Sequence, residues 1–345
     1  MQTLSSLIEI ESFWGVMAIP LFLSMFLAVN MGGSGTAPAF SAAYGAGVIR
    51  RTMIPALFGI MVLIGALLAG KEVSLTLGNG LLEQSLFTPM VTSIILLCIG
   101  LSLFLANLLG VPQSTSQSTV LAIAGAATAL DGLNTQKLFL EILPTWFILP
   151  LVSFLIMLAL SKWVFPYLKD RFFTDSYDHL KEHKGLKALL VAASLYVAFS
   201  IGANNVANAA APIASLAVNQ MGETDLSRVI LYSMLLTAPC FAIGSSLFGH
   251  KVTKKNGKDI VDVNPFYACV ISILVASLLL MASMTKGIPT SLVQLNGTAF
   301  IALGITKNGF RETFSNRTVK RFFTVWAVAP IFAFGLAFLL IKQLV

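Results

Sequence analysis

Long apolar stretches separated by short polar segments make up most of this chain. The runs 54–70, 90–110, 146–160, 268–282 and 325–341 each approach the roughly 20 residues that an α-helix needs to cross a bilayer. About ten to twelve apolar segments can be distinguished, and several of them are too short to span a membrane alone. The pattern predicts an all-α integral membrane protein that contains discontinuous or re-entrant helices.

Polar residues interrupt the apolar pattern twice in each half of the chain, at corresponding places. One interruption, rich in Gly, Pro and hydroxyl residues, covers 110–117 and recurs at 287–294; the other covers 30–36 and recurs at 202–208. Such residues are costly at membrane depth unless they line a cavity or contact other protein. Paired interruptions in two halves indicate the binding site of a transporter. We therefore expect the chain to move a small solute across a membrane.

The two halves look like copies of one unit. Besides the interruptions, Trp146 and Pro150 in the first half match Trp326 and Pro330 in the second. The most polar stretch of the chain lies between the copies. The predicted organisation is a first repeat at 1–168, a cytoplasmic linker at 169–187 and a second repeat at 188–345.

Corresponding loops of the two copies differ in charge. Arg50 and Arg51 correspond to Glu223, Asp225 and Arg228. Loop 71–87 holds one lysine and two glutamates, against four lysines and two aspartates at 251–262. Because basic loops stay in the cytoplasm, the halves are predicted to insert upside down relative to each other, as an inverted-topology repeat. Both termini then lie outside the cell membrane. Segments 88–130 and 264–305 must each leave and return to one side.

Composition supports the membrane assignment and excludes other classes. Hydrophobic residues make up 57% of the 345 residues and charged residues only 11%, whereas soluble domains carry about 25% charged residues. The net charge of +7 falls in short loops between spans, which argues against a nucleic-acid partner. Glu9 and Glu11 precede the first apolar stretch, unlike the basic start of a signal peptide. Cys98, Cys240 and Cys269 lie inside apolar segments without metal-ligand spacing.

The interruptions offer hydrogen-bond donors to an anion. A helix that begins inside a membrane exposes unpaired N–H groups and the positive end of its dipole. We expect all four interruptions to converge near the midplane as a neutral pocket at the tips of four helices. The predicted substrate-binding residues are Ser34, Gly35, Thr36, Ser114, Thr115, Ser116, Asn204, Asn205, Asn208, Thr290 and Ser291, with Asn30, Gln117 and Gln294 as supporting or coupling residues.

Other interpretations of the same residues stay open at this point. Ser and Thr in membrane helices also bond to their own backbone, and small residues often serve helix packing. No ionisable residue lies deep within a predicted span, and Lys286 fits a snorkelling interfacial lysine. His179 and His183 have the i, i+4 spacing of a metal pair, but their charged surroundings favour a solvated loop. We expect no enzyme, no cofactor and no metal; a passive channel is a further alternative.

With these residues in hand, the chain resembles the inorganic phosphate transporter (PiT) family over nearly its whole length. Gly-Ala-Asn-Asn-Val-Ala-Asn-Ala at 202–209 is similar to that family's repeated Gly-Ala-Asn-Asp-Val-Ala-Asn-Ala signature. Gly-Val-Pro-Gln-Ser-Thr-Ser-Gln-Ser at 110–118 is similar to its Gly-x-Pro-Val-Ser-Thr-Thr-His-Ser element. Gly35 and Asn205 stand at the aspartates of the signature, and Gln117 and Gln294 at the histidine.

Within the family, segments 30–35, 107–116 and 204–209 look like the CysP-type sulfate permeases. Sulfate carries no proton at neutral pH, so a pocket carboxylate would repel it, whereas phosphate keeps a proton that a carboxylate can accept. The resemblance implies a secondary transporter that imports sulfate by alternating access, with thiosulfate as a further candidate substrate. It also implies coupling to protons rather than sodium, and a homodimer. A sodium- or proton-coupled phosphate transporter is the alternative.

Overall fold

Helices account for nearly all of the described residues. A computed structural model describes residues 2–109, 113–172, 183–222, 225–253 and 263–345, and within these ranges there is no β-strand, only one isolated bridge between Leu82 and Leu133. The helices are α1 Gln2–Gly45, α2 Ile54–Ala69, α3 Lys71–Leu75, α4 Pro89–Leu109, α5 Thr115–Ala129, α6 Leu143–Ala159, α7 Phe165–Phe172, α8 Lys184–Met221, α9 Leu226–Thr253, α10 Pro265–Lys286, α11 Leu292–Asn308, α12 Phe310–Ser315 and α13 Arg317–Leu344.

Eight helical segments in the described ranges are long and apolar enough to cross a membrane. They are Trp14–Gly45, Arg51–Ala69, Pro89–Ala106, Lys137–Leu168, Lys184–Gln220, Leu226–Gly249, Pro265–Lys286 and Arg317–Leu344. Helices α5 and α11, with 15 and 17 residues, are not among them. The predicted all-α membrane architecture with short, discontinuous helices is confirmed.

The short helices α5 and α11 each return toward the side from which the preceding span came. Asn134, just beyond α5, donates its backbone N–H to the Leu81 carbonyl at 3.0 Å, close to the start of α4. Beside the end of α11, the Lys307 ammonium lies 4.8 Å from the ring of Tyr267 at the start of α10. Segments 88–130 and 264–305 therefore form two hairpins, as the loop charges predicted.

Helix packing repeats when the two halves are exchanged. Helix α1 packs on α9 as α8 packs on α2, and α5 packs on α13 as α11 packs on α6. Helix α4 likewise packs on α1 as α10 packs on α8. This internal two-fold pattern is the one expected of an inverted repeat. The repeat boundaries stay a prediction, and most of the linker, 173–182, lies outside the described residues.

Glycines allow the central helices to cross closely at equivalent points. A Cβ at any of four glycines would overlap a backbone carbonyl of the facing helix: Gly32 on Phe241, Gly244 on Val29, Gly65 on Phe199 and Gly202 on Val62. Small residues at helix crossings give membrane helices their close packing. The first two contacts join α1 to α9 and the last two join α2 to α8, so two equivalent close crossings connect the first half to the second.

The prediction of four helix breaks is wrong in two places. Helix α1 continues through 30–36 and α8 continues through 202–208, even though Pro38 and Pro212 lie inside these helices. The small residues of both segments serve the close crossings, so no break is needed to accommodate them. Segment 71–80, interpreted as part of a loop, forms α3 and a π-helical turn instead. Of the four interruptions, those at 110–117 and 287–294 each lie between two helices, because α4 ends at Leu109 before α5 begins at Thr115, and α10 ends at Lys286 before α11 begins at Leu292. Residues 110–112 of the first one lie outside the described residues.

Candidate functional site

Serine residues cap both half-helices that follow the interruptions. Ser114 Oγ accepts a hydrogen bond from Gln117 N at 3.3 Å, and Ser291 Oγ accepts one from Gln294 N at 3.2 Å. Each serine satisfies one of the N–H groups that the start of a helix leaves unpaired, and the remaining ones stay available to an anion. The hydroxyl hydrogens are not consumed by this capping, because the oxygen is the acceptor.

A glutamine pair joins the two half-helix tips. Gln294 Nε2 donates to Gln117 Oε1 at 2.6 Å, and the two residues occupy equivalent positions of the repeat. Both side chains are buried. The bond brings the first turns of α5 and α11 side by side in the interior of the protein, as predicted for these two tips.

Asn204 on α8 connects the two tips to each other and to α10. Its amide is best satisfied with Nδ2 donating to Ser116 Oγ at 3.0 Å and to the Thr290 carbonyl at 2.9 Å. In that orientation Oδ1 accepts from Ser283 Oγ at 2.8 Å and from Thr290 N at 3.2 Å. A single side chain of α8 thus fixes the position of α5 relative to the segment before α11.

The Ser116 hydroxyl is placed to donate to a bound group. Its oxygen accepts from Asn204, and Asn208 Nδ2 lies 3.4 Å from the same oxygen. A hydroxyl whose oxygen already accepts keeps its hydrogen for another partner. Asn208 Nδ2 also lies 3.9 Å from Met31 Sδ, so α1 borders the site through a thioether.

The site carries no formal charge. Every buried polar side chain in the described ranges is Ser, Thr, Asn or Gln, and none is Asp, Glu, Lys, Arg or His. No group of three His, Cys, Asp or Glu that could hold a metal ion occurs among the described residues either. The donors here are hydroxyls, carboxamides and helix N–H groups, which suit an anion that only accepts hydrogen bonds.

The structure brings most of the predicted site residues together, but not all of them. Those gathered at the tips or beside them on α8 are Ser114, Thr115, Ser116, Gln117, Asn204, Asn205, Asn208, Thr290, Ser291 and Gln294.

The first-half residues 30–36 are engaged in α1 itself. Ser34 donates to the Met31 carbonyl, Thr36 donates to the Gly32 carbonyl, and Asn30 donates to the Phe26 carbonyl. A Cβ at Gly35 would lie 3.1 Å from the Phe58 ring. The expectation that this segment forms a helix tip is wrong, because its hydroxyls bond within a continuous helix.

Sequence reasoning missed a second polar cluster inside the first hairpin. Gln113 Nε2 donates to Ser102 Oγ and to Ser118 Oγ, both at 2.6 Å, and all three side chains are buried. Gln113 thereby ties the segment before α5 to α4. Its position inside the 110–117 interruption could have predicted such contacts, because burying a glutamine at membrane depth is energetically unfavourable unless its carboxamide is hydrogen-bonded.

Two other contacts at the second tip were also missed. Trp146 Nε1 on α6 donates to the Pro289 carbonyl at 2.8 Å, and Ser153 Oγ donates to the Leu295 carbonyl at 2.9 Å. In the sequence, Trp146 is recognisable only through its match with Trp326 in the second repeat. These bonds attach the second tip to α6.

A small cavity lies between the tips and α13. It has a volume of about 10 Å³ and is lined by Ser114, Val293, Gln294, Phe322 and Trp326. That volume accommodates about one water molecule, so this cavity is too small for a tetrahedral oxyanion.

These features define the class: a multi-pass, all-α membrane transporter in which two hairpins present half-helix tips to an uncharged buried site. The chain belongs to the phosphate transporter family, whose sequence pattern it matches over residues 31–337. It is similar to the sulfate permease CysP of Bacillus subtilis (strain 168), with 32% identity over 323 residues that cover 93% of this chain and 86% of that protein.

The fold is similar to that of a solved structure described as the sodium-dependent phosphate transporter. The TM-score is 0.80 at 20% sequence identity, and the match covers 96% of this chain and 99% of that one. At this level of identity the likeness establishes the fold and does not extend to the substrate.

Proposed function

We propose that this protein is a secondary transporter that imports sulfate across the cell membrane by alternating access, and that thiosulfate is a further substrate. In this proposal it is not an enzyme, it works as a homodimer, and both termini lie outside the cytoplasm. The observation that carries the proposal is the uncharged, donor-rich site between the tips of α5 and α11.

The donor set favours a fully ionised anion. Ser116 Oγ has accepted its hydrogen bonds, and the first turns of α5 and α11 point unpaired N–H groups into the same region. Sulfate is a dianion that only accepts hydrogen bonds, and two helix N-termini complement its charge without a cation. A carboxylate at position 205, next to Asn204, would oppose it, and an asparagine stands there instead.

Protons are the proposed coupling ion. Sodium sites in proteins are built from oxygen ligands that commonly include carboxylates, and the buried side chains of the described ranges include none. The same ranges hold no buried acid or histidine, so the proton is not assigned to a side chain. A dependence of uptake on the pH gradient, without added sodium, is the expected behaviour.

Phosphate is the alternative substrate, favoured by the family to which the chain belongs. Phosphate at neutral pH keeps a hydroxyl that needs an acceptor. Asn208 Oδ1 and Gln113 Oε1 are buried carboxamide oxygens that accept no hydrogen bond in the described structure. These oxygens are the specific features that would serve a protonated oxyanion.

Uptake into proteoliposomes tests the proposal. Purified protein should take up labelled sulfate when a pH gradient is imposed, with thiosulfate competing strongly and phosphate weakly, and with no need for sodium. Ser116→Ala combined with Asn204→Ala should abolish uptake, whereas Thr285→Ala, which changes an exposed hydroxyl bonded within α10, should not. Sodium-dependent phosphate uptake that sulfate does not inhibit would establish the alternative instead.

A further inference from the structure

We infer that a basic surface at the start of α13 binds the headgroup of an anionic phospholipid, and that this binding raises the rate of transport. The surface consists of Arg311 on α12 and Arg317, Lys320 and Arg321 on the first turns of α13, and we refer to these four residues as the basic collar. All four side chains are exposed.

Like charges are concentrated in the basic collar without local compensation. Arg317 lies three and four positions before Lys320 and Arg321, so the three side chains share one face of α13. No ion pair links a collar residue to another described residue, and Glu312 is the one acidic residue between 307 and 321. Cations in the first turn of a helix also oppose its dipole. An anionic partner would relieve both effects.

The equivalent region of the first half does not show this pattern. There, Lys137 forms an ion pair with Glu141 at 2.7 Å, and Asp131 lies nearby in sequence. The basic collar is therefore not a necessary product of the repeat.

The position of the collar identifies a lipid headgroup as the partner. The membrane-spanning segment Arg317–Leu344 begins at the collar, which places these cations at the membrane surface. Large apolar side chains are exposed beside them, with Phe310 at 66% and Phe323 at 40%. Cations next to exposed aromatic rings at the end of a span match an anionic lipid, with its phosphate on the collar and its acyl chains against the rings.

A series of aromatic contacts leads from the collar to the transport site. Phe310 lies 4.6 Å from Phe314, Phe314 stacks 6.5 Å from Phe323, and Phe323 stacks 5.8 Å from Trp326, measured between ring centroids. Trp326 and its neighbour Phe322 line the cavity beside Ser114 and Gln294. A lipid that fixes α12 against α13 would thus act on the wall of the site.

The close contact of Phe322 with α11 strengthens this connection. A Cβ at Gly297 would overlap the Phe322 ring, so the ring lies directly on the backbone of the second half-helix. Movement at the start of α13 reaches α11 through this contact. This contact couples the basic collar to the transport site only if a change at the collar alters transport, and that effect can be measured.

Transport in vesicles of defined composition tests the inference. We expect initial sulfate uptake to be about fivefold faster in mixtures of phosphatidylcholine and phosphatidylglycerol than in phosphatidylcholine alone, an ordinary size for coupling between sites. The triple variant Arg317→Gln, Lys320→Gln, Arg321→Gln should lose this stimulation and keep the basal rate. Arg50→Gln with Arg51→Gln, another exposed basic pair, should retain it. Equal stimulation in both variants would overturn the collar as the binding surface.

A binding measurement separates this inference from the proposed substrate, on which the uptake assay rests. Phosphatidylglycerol added to detergent-solubilised protein should raise the Tm of the parent protein and not of the collar triple variant, whatever anion is transported. Glycerol phosphate, which has the headgroup chemistry without acyl chains, should not raise it. A shift with glycerol phosphate alone would identify a soluble anion site, and no shift with lipid would refute the inference even if sulfate uptake is robust.

Discussion

Replacing Asn204 by aspartate introduces a negative charge into the hydrogen-bonded group around Ser116 without changing the size of the side chain. Asn204 Nδ2 lies 3.0 Å from Ser116 Oγ. An oxyanion that accepts a hydrogen bond from this hydroxyl would have its charge within about 5 Å of the new carboxylate. At an effective dielectric constant of about 20, one negative charge against a dianion at that distance costs roughly 7 kcal/mol.

Protonation of the carboxyl limits this loss. Starting from an ordinary pKa of about 3.9, protonation costs about 4 kcal/mol at about pH 7, less than the repulsion. The carboxyl of the Asn204→Asp variant should therefore take up a proton when sulfate binds. We expect the Kd for sulfate to rise about 1000-fold at about pH 7 and to improve about tenfold for each unit by which the pH falls. The parent protein, which has no carboxyl group at this position, should show a weaker pH dependence.

Calorimetric titration with sulfate between about pH 5 and pH 8 measures the effect directly. Asn79→Asp, at an exposed position of the π-helical turn, is the matched control and should bind like the parent. Phosphate should lose less affinity than sulfate in the Asn204→Asp variant, because its own proton can be donated to the carboxylate. A Kd for sulfate that stays within about twofold of the parent at neutral pH would refute the assignment of Asn204 to the anion site.

Other contacts give three further predictions. Gln113→Leu should lower the free energy of unfolding by about 1–3 kcal/mol and raise the KM for sulfate, because two buried hydroxyls lose a partner. Thr290→Val, whose hydroxyl bonds locally to Ile288, should lower the free energy of unfolding by less. Equal losses of stability in the two variants would contradict the role of Gln113. Gln117→Met and Gln294→Met should each lower the free energy of unfolding, measured by thermal denaturation, by about 1–3 kcal/mol. The double variant should lose less than the sum of the two single variants. Strict additivity would mean that the bond between the two glutamines contributes nothing to stability. Gly244→Val should destabilise the protein by about 1–3 kcal/mol because its side chain would overlap the facing helix, whereas Gly335→Val, with open space around its Cβ, should be tolerated.

Sequence patterns predicted the architecture well because membrane insertion depends on two properties that are visible in a sequence, the length of apolar segments and the charge of the loops. Apolar length identified the spans, and loop charge alone required two hairpins that return to one side. The hydrogen bond from Asn134 to Leu81 and the contact of Lys307 with Tyr267 agree with that expectation. Each Gly-x-Pro element predicted a helix start, since proline cannot continue a helix and serine caps the next one. The starts of α5 and α11, capped by Ser114 and Ser291, confirm this prediction.

Composition could not distinguish a helix break from a close helix crossing. Segment 30–36 is rich in glycine for packing reasons, and its Ser34 and Thr36 are satisfied by carbonyls of their own helix. In segment 202–208 the single glycine serves a helix crossing, whereas Asn204 and Asn208 reach Ser116 from a continuous helix. Whether a glycine meets open space or a neighbouring backbone depends on the partner helix, which is far away in the sequence. The same limit explains why the roles of Gln113 and Trp146 appeared only in three dimensions.

The bond between Gln117 and Gln294 has a direction, although the residues that form it are equivalent. One carboxamide donates and the other accepts, so the two-fold relation between the halves is broken at this atom pair. Alternating access in an inverted repeat exchanges the conformations of the halves. If this chain transports in that way, the donor and the acceptor exchange as well, and each carboxamide can do so by rotating about its terminal torsion, without moving a proton or a charge. The inward and outward states of the proposed transporter would then differ in the direction of this one hydrogen bond.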